Sequence, residues 1–133
     1  MTKRAPHHPQ KSARNLAKRK KAERAGRWAE LLIGCLYLIR LYRLISWRHK
    51  TPYGEIDLIM RRGNHIRFIE VKYRTAAPNA DSPVSDKQMI RLRRAALDAY
   101  HRLSPDGMAA CQFDIVLVTK GGKITRFENH IAL

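Results

Sequence analysis

Acidic residues are scarce in this chain: 11 Asp and Glu stand against 27 Lys and Arg, a formal net charge of +16. An excess of this size is an argument about partners, and polyanions come first, with anionic membrane surface as the rival. Cysteine is scarcer. Cys35 and Cys111 lie far apart, each in apolar company. Two such thiols make neither a disulfide frame nor a zinc site, and they read as buried free cysteines in a reducing cytoplasm. Long hydrophobic runs are missing too. The longest, LLIGCLYLIRLYRLI, is 15 residues with Arg40 and Arg43 inside it, too short and too charged to span a bilayer. The basic start is not followed by an apolar segment with a small-residue cleavage site, so no secretory signal is expected. An Arg-rich, acid-poor start leaves an organellar transit peptide open.

What is present fits one domain, since 133 residues support one real core and not two. The charge is unevenly spread. Residues 1–25 hold nine Lys or Arg and one acid, net +8; the other 108 hold 18 and 10, again +8. The first residues read as a disordered, solubilising or phosphate-attracting tail. From about Ser12 the Ala, Leu, Lys and Arg favour a helix, one that a binding partner would help to form. The folded domain is drawn from residue 26 to 133.

From Gly26, apolar residues at Trp28, Leu31, Leu32, Cys35, Leu36 and Ile39 predict a helix with one buried stripe. A strand over 42–48 follows, then a turn at TPYG. EIDLIMR and HIRFIEVKYR read as two strands around RGN, a hairpin signal. Residues 75–84 form a loop with two prolines. Ser85 opens a second helix to about Leu103, with Gln88 as capping-box partner. FDIVLVT, 113–119, is an apolar run suited to a buried strand, and GG turns into a last short strand near KITRF. The order is α-β-β-β-α-β-β: an α/β domain with a mixed sheet, in which the helix between strands three and four implies a parallel pair.

Three ionisable residues interrupt the central strands: Asp57, Glu70 and Lys72. A carboxylate in a half-buried strand is costly without a partner. Alternation puts Glu70 and Lys72 on one side of their strand, and a suitable hairpin register would bring Asp57 to them. Two carboxylates so close repel each other unless a cation lies between them. Lys72 alone could be that cation, as in an ordinary ion-pair network. The other reading is a divalent metal, since hard oxygen ligands with open water positions suit Mg²⁺.

GEIDLI followed by FIEVKYR resembles the signature of the YraN-like family, small bacterial proteins of the PD-(D/E)XK nuclease superfamily likened to Holliday-junction resolvases. The resemblance spans residues 26–118 and includes GRWAE, the helix after the loop, and FDIVLV. It implies a restriction-endonuclease-like fold. The superfamily's Asp matches Asp57, its E-x-K matches Glu70, Val71 and Lys72, and its early-helix acid matches Glu30. Three departures stand out: Leu41 where relatives usually have Gly, QFD for RFD, and VKYR for VKTR.

What the resemblance implies is Mg²⁺- or Mn²⁺-dependent phosphodiester hydrolysis of nucleic acid, DNA more than RNA, with branched DNA a candidate substrate. Asp57 and Glu70 would hold the ion, with the Val71 carbonyl as a third ligand. Lys72 would orient water or stabilise the pentacoordinate phosphorus, and Glu30 would reach the metal directly or through water. Glu30 in a helix's first turn has a rival explanation in the macrodipole, and Gln88 one in capping. Arg48, Lys50, Arg61, Arg62, Arg74, Lys87, Arg91 and Arg94 flank the proposed pocket as a phosphate-binding rim. No base-reading or base-stacking pattern is evident. Resolvases suggest a homodimer by analogy alone. The second functional class is a non-catalytic nucleic-acid-binding protein that keeps the fold and uses its basic faces.

Overall fold

The structure, a computed structural model, describes residues 9–75 and 84–131. The proline-containing loop of the sequence reading and the first eight residues lie outside them. The elements are α1 (Pro9–Ile39), β1 (Arg43–Thr51), β2 (Gly54–Arg62), β3 (His65–Arg74), α2 (Asp86–Leu103), β4 (Ala110–Thr119) and β5 (Ile124–Ile131). They form one five-stranded sheet in the order β1-β2-β3-β4-β5. β3 and β4 pair in parallel, as the intervening helix requires, and every other neighbouring pair is antiparallel.

Local chemistry sets the joints. α1 ends in a Schellman arrangement: the Tyr42 N–H donates to the Tyr37 carbonyl at 3.0 Å and the Leu41 N–H to the Leu38 carbonyl at 3.0 Å. Leu41 therefore sits in the left-handed region, φ 66°, where glycine is the unstrained choice. Between β2 and β3 that choice is made, with Gly63 at φ 58°. Ser85 caps α2, its hydroxyl accepting from the Gln88 N–H at 3.2 Å. This contact uses the Gln88 backbone and leaves its side chain unassigned.

Each face of the sheet carries a core. Ile56, Ile59, Ile66, Phe68 and Phe113 pack with Leu92, Ala95, Ala96 and Ala99 of α2. Leu58, Met60, Ile69, Val116 and Val118 pack with Ala29, Ile33 and Tyr37 of α1.

That second core corrects the expected stripe on the first helix. The buried line runs Ala29, Ile33, Tyr37, with Leu32 and Leu36 partly buried beside it. Trp28, Leu31, Cys35 and Ile39 are exposed. The segment is apolar on two sides, so periodicity alone could not choose between them. The Tyr37 hydroxyl chooses, because it donates to the buried Asp114 carboxylate at 2.9 Å. The cysteine expectation is corrected with it: Cys35 faces outward, and Cys111 is only partly covered, its thiol pKa pushed up by that burial.

Candidate metal-assisted catalytic site

The strand register decides the geometry. β2 pairs with β3 from Leu58↔Ile69 onward to the hairpin, so one step back Asp57 stands opposite Glu70. On the other side, His49↔Ile56 and Trp47↔Leu58 frame Arg48 opposite Asp57. A cross-strand row therefore runs Arg48, Asp57, Glu70. Regular pairing of β2 with β3 stops here, and the Asp57 side chain takes over: its Oδ2 accepts the Val71 N–H at 2.8 Å. In an extended strand the N–H and C=O of one residue leave toward the same edge. The Val71 carbonyl is thereby directed to the Asp57 side as well.

Glu70 is buried, and its Oε1 pairs with Lys72 Nζ at 3.1 Å. Its Oε2 is buried without a hydrogen-bond partner. One lysine is thus shared against two acids. The consequence appears in the protonation. Burial, then the Glu70 charge, push the Asp57 carboxyl up to about 8. Burial raises the Glu70 carboxyl too, against the opposing pull of Lys72. The pair keeps a proton into the neutral range, which belongs to both residues together.

Glu30 is placed differently. Its Oε2 accepts from the Trp47 indole N–H at 2.8 Å and from Arg48 Nε at 3.1 Å, and Arg48 Nη2 reaches Oε1 at 3.4 Å. Arg48 achieves this from a backbone with φ 52°, a left-handed turn inside a strand. The Glu30 charge is still felt at Asp57 and Glu70, raising both. Among the described residues, however, no group of three His, Cys, Asp or Glu side chains is arranged to hold a metal ion. Glu30 is a neighbour of the carboxylate pair rather than a third member of a ligand cluster.

The donor set fits a small hard cation. An orphaned carboxylate oxygen, a second carboxyl holding its proton only through repulsion and burial, and a backbone carbonyl on the same edge are all oxygen donors. Mg²⁺ is commonly bound by one or two carboxylates, with waters and substrate phosphate completing the shell.

The proposed cationic rim divides. Arg91 lies beside the β1–β2 turn, its Cγ 3.9 Å from where a Cβ on Gly54 would stand, so the start of α2 with Lys87 lies toward the carboxylate end of the sheet. Arg94 is exposed further along α2, and Lys50 and Arg74 are exposed on β1 and at the end of β3. Arg48 is held by Glu30. Arg61 and Arg62 lie at the other end of β2, beside the β2–β3 hairpin. There Arg61 donates to the Gly63 and Leu103 carbonyls, and Arg62 donates to the Arg40 carbonyl and stacks on Tyr42. These two arginines close helix and hairpin ends, some 13–17 Å along the strand from Asp57 by strand rise.

Two features escaped sequence reasoning. Trp47 gave no signal, since an aromatic residue in a strand is ordinary. Asp114 did give one: a carboxylate in the apolar run FDIVLVT. It is fully buried, accepting from Tyr37 and, at 2.7 Å, from Arg67 Nη1; Arg67 Nε reaches the Tyr42 hydroxyl at 2.9 Å.

Comparison with known proteins settles the family. Residues 29–118 match the model of the uncharacterised protein family UPF0102. The chain belongs to that family. A UPF0102 protein of Maricaulis maris is 39% identical over 77% of this chain and 81% of its own length. That of Mesorhizobium japonicum is 36% identical over 77% and 82%, and that of Erythrobacter litoralis 33% identical over 86% and 95%. Among solved structures, SfsA of Pyrococcus furiosus in complex with Ca²⁺ overlaps 84% of this chain and 65% of that one. The TM-score is 0.37 at 14% identity, too loose an overlap to bear on the site. Among the described residues of this UPF0102 protein, no helix is long and apolar enough to cross a membrane.

Proposed function

We propose that this UPF0102 protein is a divalent-metal-dependent nuclease of the restriction-endonuclease-like kind, acting on DNA in preference to RNA. The observation that carries the reading is Glu70: a buried carboxylate with one oxygen on Lys72 and the other facing no donor unless the pair retains a proton, directly across from a second acid. A fold rarely keeps two repelling buried acids without a use for them, because replacing either would relieve the repulsion.

Asp57, Glu70 and the Val71 carbonyl would hold the ion. When bound, Mg²⁺ or Mn²⁺ would acidify a coordinated water and offset charge developing on the phosphate. The chain's own residues supply the remainder. The Val71 N–H fixes the Asp57 carboxylate in place. Lys72, held beside Glu70, is the cation available to a phosphate oxygen or to the attacking water once the metal relieves it of that pairing. Trp47 and Arg48 hold Glu30 beside the same row, where its charge is felt at both carboxyls. Lys87 and Arg91 at the start of α2 then offer phosphate contacts that position without reading sequence.

Nucleic-acid affinity has its own support in α1. Lys11, Arg14, Lys18, Arg19, Lys20, Lys21 and Arg24 lie on its exposed first half, away from both cores.

The test is cleavage of branched, single-stranded and duplex DNA with Mg²⁺ or Mn²⁺, beside Asp57→Ala and Lys72→Ala variants. Cleavage by the natural protein that disappears in both variants supports the reading. Tight, salt-sensitive binding without cleavage of any substrate would overturn it in favour of a non-catalytic binder.

A further inference from the structure

The outward face of α1 is left about half uncovered by the described residues. Trp28 is 50% exposed, Leu31 55% and Leu38 49%, and Cys35 is exposed between them. Their spacing of three, four and three residues is the a/d seam of helix–helix packing, on a helix whose other side already fills the core. β1 widens the surface. A bulge between Leu44 and Ser46 puts Leu44 and Trp47 opposite Met60 and Leu58, on the α1 side of the sheet. Both are nearly half exposed, and a groove of about 100 Å³ lies between them and α1. The exposed apolar area of these side chains is roughly 500 Å², at the top of what a monomer leaves contiguous. It would supply most of the about 800 Å² that each partner contributes to a standard interface.

We propose that this face binds a second copy of the same chain, with the two α1 helices packed antiparallel across a two-fold axis. The self-complementary seam, with an area close to what each half of a standard interface needs, selects a second copy as occupant, and the charge along α1 selects the direction. Traced toward the N-terminus, the seam positions after Trp28 are Arg24 and Lys21, exposed and basic. A parallel pair would set each against its own copy. The antiparallel pair brings Trp28 against the partner's Leu38 and Leu31 against the partner's Cys35, and sends the two basic halves outward in opposite directions. Gly34 lies in the same groove with no atom within 4 Å of where its Cβ would be, so it leaves room for close helix approach. An isologous contact of this kind closes on itself and leaves no sticky surface.

The arrangement also bears on the acidic row, because Glu30 and Trp47 line the groove. The second copy would cover them and carry two carboxylate pairs in one particle. The inference rests on the surface alone and stands whether or not the protein cleaves nucleic acid.

The experiment is sedimentation equilibrium of the nuclease-treated full-length protein at micromolar concentrations and moderate salt, with thiol cross-linking by a short bis-maleimide. A dimer is expected, tightened by added salt because the halves are both basic. Leu31→Glu and Leu38→Glu should each raise the dissociation constant at least tenfold with an unchanged far-UV spectrum. Cross-linking reads the unsubstituted protein: it should link through Cys35, with the product retained in Cys111→Ser and lost in Cys35→Ser. A monomer at these concentrations, a dimer indifferent to both Glu substitutions, or linkage through Cys111 would each overturn the proposal.

Discussion

Asp57 and Glu70 stand opposite each other on adjacent antiparallel strands, and the single lysine beside them pairs with only one. The folded protein therefore binds a proton here more tightly than the unfolded chain does. Asp57 is pushed up to about 8, against a carboxylate value near 4 in the open chain, and Glu70 moves in the same direction. A raised folded-state pKa makes the pair's contribution most favourable below about pH 4. It is lost progressively as the pH climbs through about 8. Melting temperature should fall across that window, and saturating Mn²⁺ or Mg²⁺ should restore most of the loss, since the ion takes the proton's place. Calorimetric titration at neutral pH in buffers of different ionisation enthalpy should show about one proton released per ion bound. A melting temperature that ignores metal at every pH would remove the site.

Asp57→Asn tests the repulsion directly. The amide keeps the shape, its oxygen can still accept the Val71 N–H, and its NH₂ can donate to Glu70. The variant should therefore be more stable than the natural protein at pH 8, by about 1–3 kcal/mol, while losing metal affinity and any cleavage. Lys72→Met should go the other way. With Glu70 Oε1 deprived of its partner, the buried carboxylate has neither oxygen satisfied, and stability should drop by about 3–5 kcal/mol near pH 8. Chemical denaturation of the two variants reads both signs. Equal and small effects would mean that the carboxylates are solvated and the cluster is an ordinary surface.

Leu41 offers a cleaner stability test. It occupies the left-handed position that ends α1, with its side chain in solvent. A left-handed backbone costs a residue with a Cβ about 1–2 kcal/mol, whereas glycine gives back part of that through its freer unfolded state. Leu41→Gly should stabilise by about 0.5–1 kcal/mol, visible as a rise of a few degrees in melting temperature. A fall would mean that the leucine makes contacts outweighing its strain.

The sequence made the order of elements legible because each joint has local chemistry: Ser85 as a cap, Gly63 in a hairpin, apolar runs at strand length. It placed Asp57, Glu70 and Lys72 near one another by alternation, needing only a hairpin register to complete the row. It misjudged the face of α1 because residues 28–39 are apolar nearly all round. Burial there is settled by Tyr37 reaching Asp114, a contact 77 residues away in the chain. Charge carries no address in a sequence: Arg61 and Arg62 lie at the hairpin end of β2, away from the carboxylate row, and donate to backbone carbonyls there.

Asp114 turns that long-range contact into a final prediction. It is fully buried in β4 and accepts from both Arg67 and Tyr37, and burial and the neighbouring carboxylate push the Tyr37 hydroxyl up to about 12. The two donors differ in kind. Tyr37→Phe removes one hydrogen bond to a charged acceptor that keeps Arg67, and should cost about 1.5–3 kcal/mol. Arg67→Met removes an opposite charge from a buried carboxylate, so it should cost more than Tyr37→Phe does. Because Arg67 also holds the Tyr42 hydroxyl, and Tyr42 closes the end of α1, the effects should be non-additive. Adding Tyr37→Phe to Arg67→Met should then cost more than Tyr37→Phe does alone, because the buried carboxylate no longer has Arg67 to fall back on. Equilibrium unfolding in urea of the two single variants and the double variant measures that coupling. Strict additivity would mean that the network is a set of independent contacts rather than the clamp that fixes which side of α1 faces the sheet.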